Sequence, residues 1–240
     1  MFTIEKKFIS RKNNVYLVAQ GGAGAQSKKY LVQKRHTRLE RMSGEAKMLE
    51  MLKSRGVAVP GILGRGENYL LLEYLEGELF LDYYCRQEIA DGPASSAPGQ
   101  SVSKAINRLC SWFRDFYTAA RKTASRQLIM GDVNFRNFII SGEGKIFGLD
   151  LEECREGQIE EDLGSLCAHA LTYSPTFTPW KWGMVSRLSH LFCDAFNLER
   201  DLVKKEIQKE LGVMANRRGT QAELAKLSLQ DLLEKNVINS

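Results

Sequence analysis

The sequence predicts an α+β chain, with a small antiparallel β-sheet at its amino-terminal end and a mainly helical remainder. Three observations predict it. Three short segments with period-two alternation follow one another up to Lys34, and apolar residues then recur at helical spacing through two long stretches. Farther on, two short apolar runs separated by Ser-Gly-Glu-Gly-Lys mark a hairpin.

The alternating segments are Phe2 to Ile9, Val15 to Gln20 and Tyr30 to Lys34, each set off by turn-rich residues. Three successive strands argue for an antiparallel sheet. Gly21-Gly22-Ala23-Gly24 lies between the second and third, with no Gly-Lys-Ser/Thr after it and no helix start. It reads as a hairpin turn and not as a phosphate loop.

From Leu39 to Lys53 the chain is helical, with Leu39, Met42, Ala46, Leu49 and Leu52 forming one apolar stripe. Glu45 falls inside that stripe. An inward carboxylate needs a partner, because an unpaired desolvated charge costs several kcal/mol. Lys34, at the end of the third strand, is the expected partner, although Glu45 could instead snorkel from the stripe's edge and leave the lysine to Glu40 or Glu50. Gly56-Val57-Ala58-Val59-Pro60 stops the helix. Tyr69 to Leu75 then reads as a buried strand leading into Glu76-Gly77. Its exit, Glu73 to Leu75, is expected to act as a hinge that offers backbone donors and acceptors to an adenine.

Asp91 to Ser101 is rich in Gly, Pro and Ser and reads as a mobile connection. Val102, Ile106, Leu109, Phe113, Phe116 and Ala120 then define a long amphipathic helix that ends before Leu128. The stretch Leu128 to Glu153 follows, LIMGDVNFRNFIISGEGKIFGLDLEE, and it carries Asp132, Asn137 and Asp150. A hairpin over Phe138-Ile139-Ile140 and Ile146-Phe147-Gly148-Leu149 puts Asn137 just before its first strand and Asp150 just after its second, at one end. Two carboxylates and an amide then converge, which suits a divalent cation held by oxygen, with one carboxylate left to orient a hydroxyl. Taken singly, each of the three is an ordinary loop or cap residue.

Beyond Glu153 the chain reads as helical apart from Thr172 to Trp182, where prolines and aromatics suggest a structured loop, packed in the core or lining a pocket. Glu160-Glu161-Asp162 opens the next helix, as acidic residues favour a helix amino terminus, and Asp162 is placed to anchor the preceding loop. Leu198 to Lys235 reads as two charged helices joined near Asn216 to Gly219.

Composition bounds the function. No apolar run approaches the roughly 20 residues needed to span a bilayer, so no membrane role is expected. The first residues, MFTIEKKFISRKNN, lack the continuous apolar core of a secretory signal. Five scattered cysteines without a C-x-x-C pair point to reduced thiols and a cytoplasmic location, and three histidines without ligand spacing argue against structural zinc. A net charge of +5 is mild and admits an anionic ligand without requiring one.

In order, Lys34, Glu45, the hinge, Gly131-Asp132-x-x-x-x-Asn137, the hairpin and Asp150-Leu151-Glu152 resemble the protein-kinase-like superfamily, from near the amino terminus to about Asp162. Within it the Asp-x-Glu ending is more similar to the aminoglycoside and choline phosphotransferase branch than to protein kinases. The stretch Lys34 to Pro60 is also similar to the small kinase associated with transfer-RNA threonylcarbamoylation. The resemblance implies a two-lobe fold, with residues 1–76 as the nucleotide-binding lobe and 77–240 as the helical catalytic lobe. It implies ATP and Mg²⁺ as cofactors and transfer of the γ-phosphoryl to a hydroxyl of a small molecule. Asp132 would act on the acceptor hydroxyl, Asn137 and Asp150 would hold the metal, and Lys34, positioned by Glu45, would hold the α- and β-phosphates.

The chain departs from the family pattern at Met130 and Leu151, and the loop Ser10-Arg11-Lys12-Asn13-Asn14 has no glycine. Phosphate cover is therefore expected from Ser10, Asn13 or backbone amides. The alternative function is a catalytically weak nucleotide-binding module acting through a protein or RNA partner, nucleic acid being the less favoured of the expected partners. Glu152, Glu153, Glu156 and Glu160 are either an attraction for a cationic acceptor or solvated helix ends.

Overall fold

In the computed structural model, which describes residues 2–10, 12–21, 28–121 and 127–218, the chain is mixed α+β. It begins with β1 (Phe2–Phe8), β2 (Asn14–Gln20), β3 (Lys29–Arg35), α1 (Leu39–Ser54), β4 (Ile62–Arg65) and β5 (Tyr69–Glu73). The five strands form one antiparallel sheet in the order β1-β2-β3-β5-β4. β5 reads as an unbroken apolar run because both its faces are covered. Leu70 and Leu72 join the main core, whereas Leu71 packs with Val18 and Leu31 on the other face.

Next come β6 (Glu78–Leu79), α2 (Phe80–Asp91), α3 (Gln100–Arg121), β7 (Leu128–Ile129), β8 (Phe138–Ile140), β9 (Ile146–Gly148) and β10 (Arg155–Glu156). Last are α4 (Ile159–Thr172), α5 (Pro179–Phe196) and α6 (Arg200–Arg218). β6, β8 and β9 form a small sheet, and β7 pairs with β10. The amphipathic α3 buries Trp112, Phe113, Phe116 and Tyr117, each large ring stabilising the fold by about 2 kcal/mol. Trp112 also fixes the β8–β9 hairpin. Its indole Nε1 donates to the Ala58 carbonyl at 2.8 Å, and the Gly148 amide donates to the same oxygen at 3.0 Å.

α1 and β5 share one continuous apolar cluster with α2 to α6. Among the described residues no helix is long and apolar enough to cross a membrane. All five cysteines are free.

Several expectations need correction. The interval after Glu153 is not wholly helical, because β10 returns to pair with β7 before α4 starts. The structured loop ends earlier than Trp182: Thr178 caps α5, its hydroxyl accepting from the Lys181 amide at 3.3 Å, and Pro179 sits in the first turn. Trp180 and Trp182 are therefore helical and buried. The Asp91 to Ser101 stretch is tied down by the Asp91 carboxylate, which accepts from the Gly99 amide at 2.8 Å and from Trp180 Nε1 at 2.9 Å. The glycines at 22 and 24 and the second carboxy-terminal helix lie outside the described residues. The first of those two helices is α6.

Candidate functional site

Lys34 stands on β3, opposite Val15 and Leu70 in register, and its side chain is almost fully buried. Burial of an ammonium needs anions close by. Its Nζ donates to Glu45 Oε1 at 2.8 Å and to Asp150 Oδ1 at 2.6 Å. Glu45 reaches it because α1 turns Glu45 inward together with Ala46, Leu49 and Leu52. Desolvation would lower the Lys34 pKa, but the two carboxylates outweigh it and the net shift is upward. Glu45 is correspondingly held ionised: burial pushes its pKa up, yet His36 and Lys34 bring it below the ordinary value.

His36 was not singled out in the sequence. It follows β3, its amide donates to the Asn68 carbonyl at 2.8 Å, and its ring is wholly enclosed. Nε2 lies 3.1 Å from Glu45 Oε2 and Nδ1 lies 3.5 Å from Glu152 Oε2. The directions miss good hydrogen-bond geometry, so these contacts are chiefly ionic. The imidazole pKa is raised, the desolvation that lowers it being outweighed by the two carboxylates. Glu152 also accepts from Asn13 Nδ2 at 2.8 Å and lies 3.7 Å from Arg41 Nη1. Against the desolvation that would raise it, this company brings the Glu152 pKa down to about 2.

The segment bearing Asp132 is pinned from beneath. Asp162, buried in the first turn of α4, accepts from the amides of Met130 and Gly131 and from Tyr117 Oη, each at 2.9 Å. This is the anchoring role expected of it. Burial nevertheless dominates and raises its carboxyl pKa to about 6. Gly131 has φ +77°, and a Cβ there would come 2.5 Å from the Glu153 carbonyl oxygen, so only glycine fits. Asn137 Nδ2 donates to the Asp132 carbonyl at 2.8 Å. Its amide nitrogen is thereby committed, leaving Oδ1 as the atom able to take a cation.

Phe138 pairs with Gly148, and the Leu149 amide donates to the Asn137 carbonyl at 2.8 Å, so Asn137 and Asp150 do flank the same end of the hairpin. Asp150 has φ +56°, a left-handed conformation that costs a non-glycine residue roughly 1 kcal/mol or more. Such strain persists where a side chain has to be aimed. Here it aims a carboxylate at Lys34.

Asp132 and Glu153 meet Lys12, whose Nζ is 3.0 Å from Asp132 Oδ2 and 3.0 Å from Glu153 Oε1. Arg41 Nη1 also holds Glu153, at 2.5 Å. Lys34, Glu45, Asp132, Asn137 and Asp150 are thus linked through a single chain of contacts that includes Lys12, His36 and Glu152. The five carboxylates Glu45, Asp132, Asp150, Glu152 and Glu153 face three permanent cations and the His36 ring.

The other expected residues do different work. Ser10 Oγ accepts from the Asn13 amide at 3.3 Å and shapes the loop, while the Asn13 side chain is committed to Glu152. Glu73 accepts from Lys53 Nζ at 2.9 Å and the Gly61 amide at 3.0 Å, so its carboxylate ties the end of β5 to α1 and to the residue before β4, and Leu75 is buried. The Glu73 amide is taken as well, donating to the Gly61 carbonyl at 2.8 Å. Glu152 is an interior ion-pair partner and Glu153 a partly exposed one, neither a solvated helix end nor a free acidic face.

For a metal, Asp150 and Asn137 supply hard oxygen atoms of the kind Mg²⁺ takes. One ligand atom each from His36, Glu45 and Glu152 also lie within 4.8 Å of one another. With its pKa raised, however, His36 is biased toward the imidazolium, which has no lone pair to ligate. Lys34 and Arg41 already neutralise the two carboxylates. That trio is an ion-pair cluster.

No family model matches the chain, and no curated protein matches it.

Proposed function

We propose that the chain is an ATP-dependent phosphotransferase that moves the γ-phosphoryl group to a hydroxyl of a small molecule, with a kinase-like pair of lobes meeting near residue 76. One observation carries the reading: a buried lysine on a strand is shared by an inward helix glutamate and by Asp150 at the mouth of a hairpin. Lys34, fixed by Glu45, would hold phosphate oxygens. Asp150 and Asn137 would hold Mg²⁺, which supplies charge neutralisation on the β- and γ-phosphates when bound.

Asp132, kept in place by Asn137 and by the Asp162 anchor, would orient the acceptor hydroxyl and take its proton. The hydroxyl oxygen bonds to the γ-phosphorus, the bond to the β–γ bridging oxygen breaks, and the nucleoside diphosphate leaves with that electron pair. Catalysis in such a site is mostly positioning and charge stabilisation. The chain between Asp150 and α4 is spent on the β7–β10 bridge, which leaves little for an extended peptide-docking segment and favours a small acceptor.

The test is Mg-ATP turnover across a panel of hydroxyl metabolites. Asp132→Ala should lower it by about 10²–10⁴-fold, the usual contribution of a positioned general base. Turnover that survives both Asp132→Ala and Asp150→Ala unchanged would refute the assignment. A second reading, a nucleotide-binding module with little catalysis, draws on the same site, because Lys12 already pairs with Asp132. Tight Mg-ATP binding without transfer to any acceptor would favour it.

A further inference from the structure

The loop between β1 and β2 contains no glycine, so its amides cannot approach a phosphate as closely as a glycine-rich turn allows. What it has instead is Lys12. The backbone around Lys12 is fastened: the Asn13 amide donates to Ser10 Oγ, the Asn13 side chain is held by Glu152, and Thr37 Oγ1 donates to the Lys12 carbonyl at 3.4 Å. The ammonium is not fastened in the same way. The Lys12 side chain is 43% exposed, and its ammonium is held by exposed ion pairs to Asp132 and Glu153, the weak kind of pair. A long flexible stem thus rises from a fixed root.

We propose that Lys12 is a γ-phosphate ligand, leaving Asp132 and Glu153 for the phosphoryl oxygens when nucleotide binds. The inference rests on the phosphotransferase reading above. A phosphoryl in transit must lie against the hydroxyl that Asp132 orients, and the Lys12 ammonium is 3.0 Å from Asp132 Oδ2. Rotation of its own stem brings it to those oxygens. The exchange does two things together. It replaces an absent amide cradle with a point charge, a role lysine serves at phosphates elsewhere, and it uncovers Asp132 for the acceptor. Arg41 holds Glu153 from the other side, whereas Lys12 is the cation that meets the Asp132 carboxylate, where the γ-phosphate would otherwise face it.

The experiment is calorimetry on the full chain with Mg-ATP and with Mg-ADP, comparing the unaltered protein with Lys12→Met and Lys12→Arg. Lys12→Met should weaken Mg-ATP about tenfold, the scale of one charge-assisted hydrogen bond, and leave Mg-ADP within about twofold. Lys12→Arg should recover most of the loss. A structural role for Lys12 would move both nucleotides together. Equal changes for the two nucleotides, no change, or tighter Mg-ATP in Lys12→Met would overturn the assignment while leaving the phosphotransferase reading standing. An unaltered protein that binds neither nucleotide would overturn both.

Discussion

Replacing Glu45 by Gln removes one charge from between two cations while nearly preserving side-chain shape. At the observed 2.8 Å to Lys34, the Coulomb attraction is about 6 kcal/mol with an effective dielectric constant near 20. Desolvation of both partners offsets part of that, and breaking a buried pair typically costs about 3–5 kcal/mol. Lys34 keeps Asp150 at 2.6 Å and His36 keeps Glu152 at 3.5 Å, so neither cation is orphaned. The lower end, about 3 kcal/mol, is therefore expected. For a chain of 240 residues that is a fall in Tm of about 6–12 °C. The assay is thermal unfolding, supported by urea midpoints, in a cycle of Glu45→Gln, Lys34→Met and the double variant. The double variant should cost at least about 1 kcal/mol less than the sum of the singles. A fall in Tm below about 2 °C for Glu45→Gln, or strict additivity, would refute the reasoning.

Two other predictions concern the anchor and the acid response. Asp162→Ala strips the acceptor from the Met130 and Gly131 amides and Tyr117 Oη, and unfolding in urea should show a loss of at least about 3 kcal/mol, since each buried unsatisfied group costs about 1–3; a loss under about 1 kcal/mol would mean the loop is held some other way. As for pH, Asp162 has a folded value of about 6 against an ordinary 3.8, so its contribution to stability grows as pH falls from about 6 to 4. His36, raised above its ordinary 6.5, contributes fully below that value and loses its share as pH rises through the folded one. Glu152, lowered from 4.5 to about 2, acts in the opposite direction and loses its share as pH falls across that interval. The urea midpoint should accordingly peak near pH 5, be lower at pH 8, and collapse below about pH 4; a midpoint that rises steadily from pH 5 to 8 would contradict these shifts.

What could be read along the chain is what local physics writes there. Stripes at helical spacing in α3 and from Ala46 onward in α1 were legible because those faces are the ones buried, whereas β1 forms its strand with almost every residue exposed and Leu39 lies outside the core. Asn137 and Asp150 come to one end of the hairpin, and Asn137 is tied to the Asp132 carbonyl, through a 3-10 turn and a hairpin both set by neighbouring residues. The inward Glu45 was legible because a carboxylate inside an apolar stripe demands a cation. β4, four residues with a glycine at 64, gave too short a pattern. α2 interrupts its apolar side with Glu88, which is buried because Lys181 of α5 and the Thr178 hydroxyl reach it. The start of α5 was written in Thr178-Pro179, but the surrounding aromatics masked it.

Sequence by itself determined β1 to β3, α1, β5, α3 and the β8–β9 hairpin, the inward glutamate and the set of oxygen-bearing residues at the hairpin's mouth. Only tertiary structure decided which charges face one another. Lys12 and Asp132 are 120 residues apart, Lys34 and Asp150 are 116, and Lys12 and Glu153 are 141. No local pattern encodes such a meeting, because a lysine in a loop, or a histidine just past a strand, has the same neighbours in sequence whether it ends in water or between two carboxylates. Packing of the five-stranded sheet and α1 against the helical core enclosed His36 between Glu45 and Glu152, and burial then turned ordinary charges into mutually dependent ones.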